Sequence, residues 1–140
     1  GGAGMSAAPT RSAPAPEAPA AQRPLLLVED DAPLRQMLSW DLADLGYDIA
    51  AAAGCAEARR LAARQSFRFA LIDVHLPDGD GRDLAAELAG RLPDLRVVLM
   101  SGDERARAAP PPPCGVLAFL AKPVDLDSAH RVFTAASSIL

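Results

Sequence analysis

The stretch Phe69-Ala-Leu-Ile-Asp-Val-His-Leu-Pro-Asp-Gly-Asp-Gly81 indicates the fold more clearly than any other part of the chain. It begins with a short apolar run, Phe69 to Ile72, and ends in Pro, Asp and Gly residues typical of a tight loop. A buried parallel strand is therefore predicted to stop at Asp73. Open α/β sheets bind their ligands at that end of the strands, although a charged residue there is often only a strand terminus.

Length and composition limit the class of protein. With 140 residues, half of them hydrophobic, and a net charge of -4, the chain is predicted to form one soluble domain. It has no basic run and few aromatic residues, which argues against a nucleic-acid partner. Cys55 and Cys114 lack the spacing of a zinc site or a disulfide framework, so we expect a cytoplasmic protein. No stretch is long and apolar enough to predict membrane insertion or a secretory signal.

The N-terminal residues differ from the rest in composition. Residues 1–24 are rich in Ala and Pro and have almost no apolar periodicity, so they are predicted to be a disordered arm or linker. Residues 1–4, which precede Met5, have the composition of a cloning remnant. Residues 25–140 are predicted to form the domain.

From residue 25 onward, strand and helix patterns alternate. Apolar runs predict five strands, at 25–28, 48–51, 69–72, 96–100 and 116–120. Apolar residues at helical spacing lie between the strands and after the last one, with Gly46 and Pro93 as stop signals. This alternation predicts a doubly wound parallel sheet with helices on both faces. The chain has no Gly-x-Gly-x-x-Gly after the first strand and no Walker loop, which disfavours nucleotide-binding versions of the architecture.

Polar residues follow four of the predicted strands. Because the carboxyl ends of parallel strands meet at one edge of the sheet, we expect these residues to converge there: Glu29, Asp30, Asp31, Asp73, Ser101 and Lys122. Crowded carboxylates need protons or a hard divalent cation, and Mg²⁺ suits an oxygen-rich site that leaves room for phosphate. A carboxylate nucleophile, a metal ion, a hydroxyl and a lysine are the groups that phosphoryl transfer requires.

These residues also carry a resemblance to a known family. The chain from Leu25 to Leu140 resembles the receiver domain of two-component response regulators, a flavodoxin-like fold with strand order 2-1-3-4-5. The matching motifs end four strands: LLLVEDD at 25–31, LIDVHLPDGDG at 71–81, VVLMSG at 97–102 and FLAKP at 119–123. The resemblance implies that Asp73 accepts a phosphoryl group and that Mg²⁺ is held by Glu29, Asp30, Asp73 and the backbone carbonyl of His75.

Further residues receive roles by the same resemblance. Ser101 would be the switch hydroxyl, Gly102 its small neighbour, Lys122 the cation that pairs with the phosphoryl group, and Phe119 the aromatic rotamer switch. The peptide bond from Lys122 to Pro123 would be cis.

The resemblance also implies partners and tuning positions. The phosphoryl donor would be a histidine kinase or a histidine phosphotransfer protein, and a conformational shift would control a downstream protein. Such a domain is not an enzyme in the usual sense, because it catalyses only its own phosphorylation and dephosphorylation. His75 and Asp103 match positions that tune dephosphorylation. The alternative for His75 is a solvated loop histidine whose carbonyl alone matters.

The chain departs from the family pattern between the fourth and fifth predicted strands. Pro110 to Pro113 cannot lie inside a helix, so the fourth helix is predicted to be shortened or lost. A proline-rich ligand for a partner is the alternative for this run. Because the affected face is used for dimerisation by transcription-factor members of the family, we expect a monomer, or a dimer through another face.

Three alternatives concern function. The domain could be a stand-alone regulator or the receiver of a hybrid histidine kinase. It could also be a small phosphatase similar to haloacid dehalogenases, although His75 stands where those enzymes carry their acid. Finally, it could be a degenerate receiver that binds partners without phosphorylation.

Overall fold

The fold is an α/β sandwich, seen here in a computed structural model that describes residues 23–103, 105 and 115–139, with the side chains of 136–139 excepted. The elements in chain order are β1 (Pro24–Val28), α1 (Ala32–Asp44), β2 (Asp48–Ala52), α2 (Cys55–Arg64), β3 (Phe69–Asp73), β4 (His75–Leu76), β5 (Gly79–Asp80), α3 (Gly81–Arg91), β6 (Arg96–Ser101), β7 (Val116–Ala121) and α4 (Leu126–Ile139).

Five of the strands form one parallel sheet in the order β2-β1-β3-β6-β7. Numbered among themselves, these strands have the order 2-1-3-4-5, which confirms the doubly wound, flavodoxin-like fold expected from the sequence. The reversal of strand order falls between β1 and β3. Ligands of such sheets bind at this position, outside the carboxyl ends of the strands.

The core has two layers because β1 and β3 are covered on both faces. Leu26 and Val28 of β1 pack with α2 and α3 on one face, while Leu25 and Leu27 pack with α1 and α4 on the other. All four side chains are fully buried. Burial of both faces explains why the central strands are continuous apolar runs rather than alternating patterns.

Caps and a glycine set the helix ends. The Asp31 side chain accepts a hydrogen bond from the Leu34 N–H at 3.2 Å and caps α1, and Gly46 follows α1 with a φ of 101°. Asp125 precedes α4 and accepts hydrogen bonds from the Asp127 N–H and the Ser128 hydroxyl. Asp125 therefore caps the start of α4.

Some strand bounds and one loop differ from the sequence expectations. β2, β6 and β7 each extend one residue beyond the predicted range. β1 begins at Pro24 rather than Leu25. The loop expected after Asp73 contains a short antiparallel hairpin, in which His75 pairs with Asp80 and Leu76 with Gly79. We call residues 75–80 the β4–β5 hairpin.

Some expectations concern parts of the chain that the structure does not describe. Residues 1–22 of the predicted arm, the Pro110 to Pro113 run and most of the segment of the fourth helix lie outside the described residues. None of the helices in the described part combines the length and the apolar character needed to cross a membrane.

Candidate functional site

The four strand ends meet at one edge of the sheet. Backbone hydrogen bonds join the segments that follow neighbouring strands, from the Glu29 N–H to the Ala52 carbonyl and from the Lys122 N–H to the Ser101 carbonyl, both at 3.0 Å. Asp73 closes β3 and is paired with Met100 of β6. The parallel register therefore brings residues from distant parts of the sequence into one acidic pocket.

Three carboxylates form the base of this pocket. Oxygens of Glu29, Asp30 and Asp73 all lie within 4.8 Å of one another. Glu29 and Asp73 are buried, with 1% and 4% of their surface exposed, whereas Asp30 is exposed. Burial raises the pKa of the Glu29 carboxyl, although the ion pair with Lys122 and the hydrogen bond from the Asp31 N–H oppose the shift.

Lys122 is the cation that faces these carboxylates. Its Nζ lies 2.6 Å from Asp73 Oδ2 and 2.7 Å from Glu29 Oε1. Partial burial pulls the pKa of Lys122 down, but the close contacts of its ammonium with the Asp73 and Glu29 carboxylates outweigh it, and the pKa is raised overall. Lys122 therefore carries its charge at neutral pH and partly neutralises the pocket.

The residues present fit a divalent cation. Glu29 Oε1 is buried and, within the described part of the chain, makes no hydrogen bond of good geometry besides its ion pair with Lys122. An all-oxygen donor set with two buried carboxylates and one exposed carboxylate matches the ligands that Mg²⁺ and Ca²⁺ prefer. Asp31, by contrast, caps α1 and is not part of this set.

The backbone around His75 is tied to the pocket. The His75 N–H donates a hydrogen bond to Asp73 Oδ1 at 3.0 Å, so both Asp73 oxygens have a partner. The imidazole is exposed, and its Nε2 lies 3.7 Å from Asp103 Oδ2. His75 and Asp103 thus face each other beside the pocket.

Residues at the ends of β6 and β7 complete the pocket wall. Ser101 is fully buried, and its Oγ accepts a hydrogen bond from the Asp103 N–H at 2.9 Å. Gly102 is exposed, and a Cβ added there would meet no atom within 4 Å. Phe119 is half-buried and packs against the core on the α2 and α3 face. The peptide bond between Lys122 and Pro123 is cis.

Sequence reasoning missed two residues that hold this pocket together. Arg35 of α1 donates a hydrogen bond at 2.8 Å to the Glu29 carbonyl. Asp78, at the tip of the β4–β5 hairpin, accepts hydrogen bonds from the backbone N–H groups of Cys55 and Ala56 at the start of α2. Asp78 follows a proline in a turn, which indicates a turn residue but gives no sign of its distant partner.

Comparison with known proteins identifies the family. The model of the response regulator receiver domain matches residues 25–133. The chain is 32% identical over 116 residues to the photosynthetic apparatus regulatory protein RegA of Cereibacter sphaeroides, covering 82% of this chain and 63% of RegA. It is 35% identical over 105 residues to the response regulator protein PilR of Pseudomonas aeruginosa, covering 72% of this chain and 23% of PilR. The chain therefore spans less than two thirds of either relative.

Solved structures agree. A receiver domain protein from Methanospirillum hungatei superposes with a TM-score of 0.71 at 22% identity, covering 84% of this chain and 98% of that one, which supports the fold alone. A response regulator protein from Burkholderia pseudomallei superposes with a TM-score of 0.69 at 27% identity, covering 84% of this chain and 70% of that one. That structure contains a phosphorylated aspartic acid, a calcium ion and citrate.

The chain belongs to the receiver domain family of two-component response regulators. Members of this family are signalling domains rather than classical enzymes.

Proposed function

We propose that this domain accepts a phosphoryl group on Asp73 from a phosphohistidine of a partner kinase or phosphotransfer protein. One observation carries the proposal: Asp73 lies buried beside two further carboxylates, with the Lys122 ammonium 2.6 Å from its Oδ2. The phosphorylated aspartic acid and calcium ion in the Burkholderia pseudomallei regulator support it by similarity.

The transfer is a displacement at phosphorus. An Asp73 oxygen forms a bond to the phosphorus atom while the bond from phosphorus to the histidine nitrogen breaks, its electron pair remaining on the imidazole. Lys122 is placed to exchange part of its contact with Asp73 for a phosphoryl oxygen, because its Nζ already contacts that carboxylate. The Ser101 hydroxyl would then bind a second phosphoryl oxygen, and its movement would be read by Phe119.

Glu29, Asp30, Asp73 and the His75 carbonyl would hold Mg²⁺. When bound, the ion neutralises the charge of the phosphoryl oxygens. The chain itself fixes the positions of the ligand oxygens. Glu29 Oε2 accepts a hydrogen bond from the Asp31 N–H, the Glu29 N–H donates one to the Ala52 carbonyl, and the His75 N–H donates one to Asp73 Oδ1.

Several finer points belong to the same proposal. The phosphorylated domain would control a downstream protein and act in the cytoplasm as a monomer, and His75 and Asp103 would tune the loss of the phosphoryl group. Membership in the receiver family leaves the haloacid-dehalogenase alternative without support. The full protein's output and partners are part of the proposal, since the chain covers only part of its relatives.

The test is intact mass after incubation with acetyl phosphate and Mg²⁺. We expect one phosphoryl adduct on this chain and none on Asp73→Asn, which keeps the shape of the residue but lacks the nucleophilic carboxylate. No adduct on either protein would contradict the proposal and favour the degenerate receiver, which binds its partners without phosphorylation.

A further inference from the structure

The β4–β5 hairpin connects the phosphoacceptor pocket to the start of α2. Its first residue, His75, is bonded through its backbone N–H to Asp73. Its tip carries Asp78, whose Oδ1 accepts a hydrogen bond from the Cys55 N–H at 2.7 Å and whose Oδ2 accepts one from the Ala56 N–H at 2.9 Å. One carboxylate therefore joins the hairpin to α2, a helix that contains none of the pocket residues described above.

This contact is a helix cap supplied from another part of the chain. The N-cap residue of α2 is Gly54, which has no side chain to accept a hydrogen bond. Asp78 therefore satisfies N–H groups that the local sequence leaves without a cap. The negative charge also lies at the positive end of the helix dipole. These hydrogen bonds, that from Ala56 first, lower the pKa of Asp78, so it is charged at neutral pH.

The surrounding residues leave little freedom for the hairpin tip. A Cβ at Gly54 would lie 2.7 Å from Asp78 Oδ1, and one at Gly79 would lie 3.0 Å from Cys55 Sγ. At the other end of the hairpin, a Cβ at Gly81 would collide with the Asp73 carbonyl, and the Gly81 N–H donates to the Val74 carbonyl at 2.7 Å. The hairpin is thus held at both ends, and Asp78 provides the polar contact at its tip.

We propose that Asp78 is a positioning residue for the divalent-cation site: by binding the start of α2 it fixes the hairpin and hence the backbone carbonyl of His75. The inference rests on the proposed function, which assigns that carbonyl to the metal. It adds a residue that touches neither the metal nor the phosphoryl group. Residues that orient metal ligands from outside the first coordination sphere commonly change metal affinity when they are replaced.

The test measures binding of Mn²⁺, which also prefers oxygen ligands, by the electron paramagnetic resonance signal of the free ion. We expect Asp78→Ala to raise the Kd for Mn²⁺ about tenfold relative to the unsubstituted chain. The Kd of Asp78→Asn should fall between those of Asp78→Ala and the unsubstituted chain. The asparagine amide keeps one acceptor oxygen and replaces the other with an NH₂ group, which cannot accept the second hydrogen bond. The matched control is Glu57→Ala, since Glu57 Oε1 accepts a hydrogen bond at the same end of α2 from the Ala53 N–H, which is not part of the hairpin.

A Kd unchanged in folded Asp78→Ala, or raised equally in Glu57→Ala, would overturn the inference. Gly54→Ala provides an independent variant if Asp78→Ala does not fold, because its added methyl group displaces the Asp78 carboxylate without removing it, and it too should raise the Kd. An unchanged Kd in Gly54→Ala would likewise count against the positioning role.

The two proposals can fail separately. A phosphoryl adduct on the unsubstituted chain, combined with equal Mn²⁺ affinity in Asp78→Ala, would keep the phosphoacceptor role and remove the role of Asp78. A Kd that depends on Asp78, in a chain that takes no phosphoryl group, would keep the role of Asp78 and remove the phosphoacceptor role.

Discussion

Lys122 connects the two buried carboxylates of the pocket, and its contacts decide how the pocket is stabilised without a metal. A lysine whose Nζ contacts both Glu29 and Asp73 provides the positive charge that a divalent ion would also provide. The two cations therefore compete for the same negative charge, and removal of either should make the other more important.

Lys122→Met tests this competition. Breaking the ion pairs leaves buried carboxylates without a cation, so we expect the free energy of unfolding in EDTA to fall by about 1–3 kcal/mol, allowing for the partial exposure of the lysine. Added Mg²⁺ should stabilise the variant more than the unsubstituted chain. Urea unfolding with and without Mg²⁺ measures both effects, and Arg60→Met, which removes an exposed cation, is the control. Equal stabilisation of Lys122→Met and the unsubstituted chain by Mg²⁺ would show that the lysine and the metal ion do not compete.

Tyr47 gives a prediction about pH. The side chain is 2% exposed and its hydroxyl lies 2.8 Å from His130 Nδ1. Burial raises the pKa of Tyr47 above 10.0, and the nearby Arg23 only partly opposes the shift. Because the folded state favours the neutral phenol, this stabilisation is present below pH 10.0 and is lost as the pH rises through the raised pKa.

An absorbance titration measures this shift directly, since the chain contains one tyrosine. The tyrosinate band should develop at higher pH in the folded protein than in denaturant. As the pH rises above 10.0, Tyr47→Phe should lose less stability than the unsubstituted chain, because it has no phenol to ionise. Coincident titration curves for the folded and unfolded protein would show that burial does not control this pKa.

At the scale of elements, α3 begins where the β4–β5 hairpin ends, and the junction depends on a residue without a side chain. The nearest atoms to a Cβ at Gly81 would all belong to the backbone, the Asp73 carbonyl oxygen being closest and Val74 Cα lying at 2.9 Å. Backbone atoms of a central strand cannot move aside as the end of a flexible side chain can. A substitution here should therefore shift the strand that carries Asp73.

Two glycine substitutions in α3 should have opposite effects. Gly81→Ala should lower the free energy of unfolding by about 3 kcal/mol through overpacking. Gly90→Ala should raise it by about 0.5–1 kcal/mol, because alanine has the higher helix propensity and its Cβ would meet no atom within 4 Å. Thermal or urea unfolding of the two variants measures the contrast. A Gly81→Ala protein as stable as the unsubstituted chain would show that β3 yields to the added methyl group.

The sequence predicted the elements with strong local patterns. It missed a hairpin that is very short and a cap that depends on residues far apart in the chain. Continuous apolar runs identified β1, β3 and β6, because strands buried on both faces contain little else. The β4–β5 hairpin has two residues in each strand, too few to show alternation. The cap of Asp78 on α2 joins residues more than twenty positions apart, which no local pattern indicates.

At the scale of the whole molecule, the parallel sheet brings residues that are far apart in the sequence together in one site. Glu29, Asp73 and Lys122 lie at the ends of different strands. Lys122 Nζ nevertheless lies 2.7 Å from Glu29 Oε1 and 2.6 Å from Asp73 Oδ2, because β1, β3 and β7 point the same way. This convergence followed from the fold class alone. The individual contacts did not: the family resemblance indicates Asp30 for the metal, whereas the hydrogen bond by which Asp31 caps α1 is seen only in the structure.

A metal ion bound at this convergence should stabilise the whole domain, because the site exists only when the strands are assembled. Ligand linkage predicts a gain of about 1.4 kcal/mol when the free Mg²⁺ concentration is ten times its Kd. For a domain of this size, that gain corresponds to a rise in Tm of roughly 5 °C. EDTA should abolish the rise. Asp30→Asn, which removes the exposed carboxylate charge of the pocket, should reduce it, whereas Asp94→Asn at the opposite end of the sheet should not. An equal rise in Tm for all three proteins would mean that Mg²⁺ acts through general screening rather than at the pocket, and the acidic set would then have to be explained by its pairing with Lys122 alone.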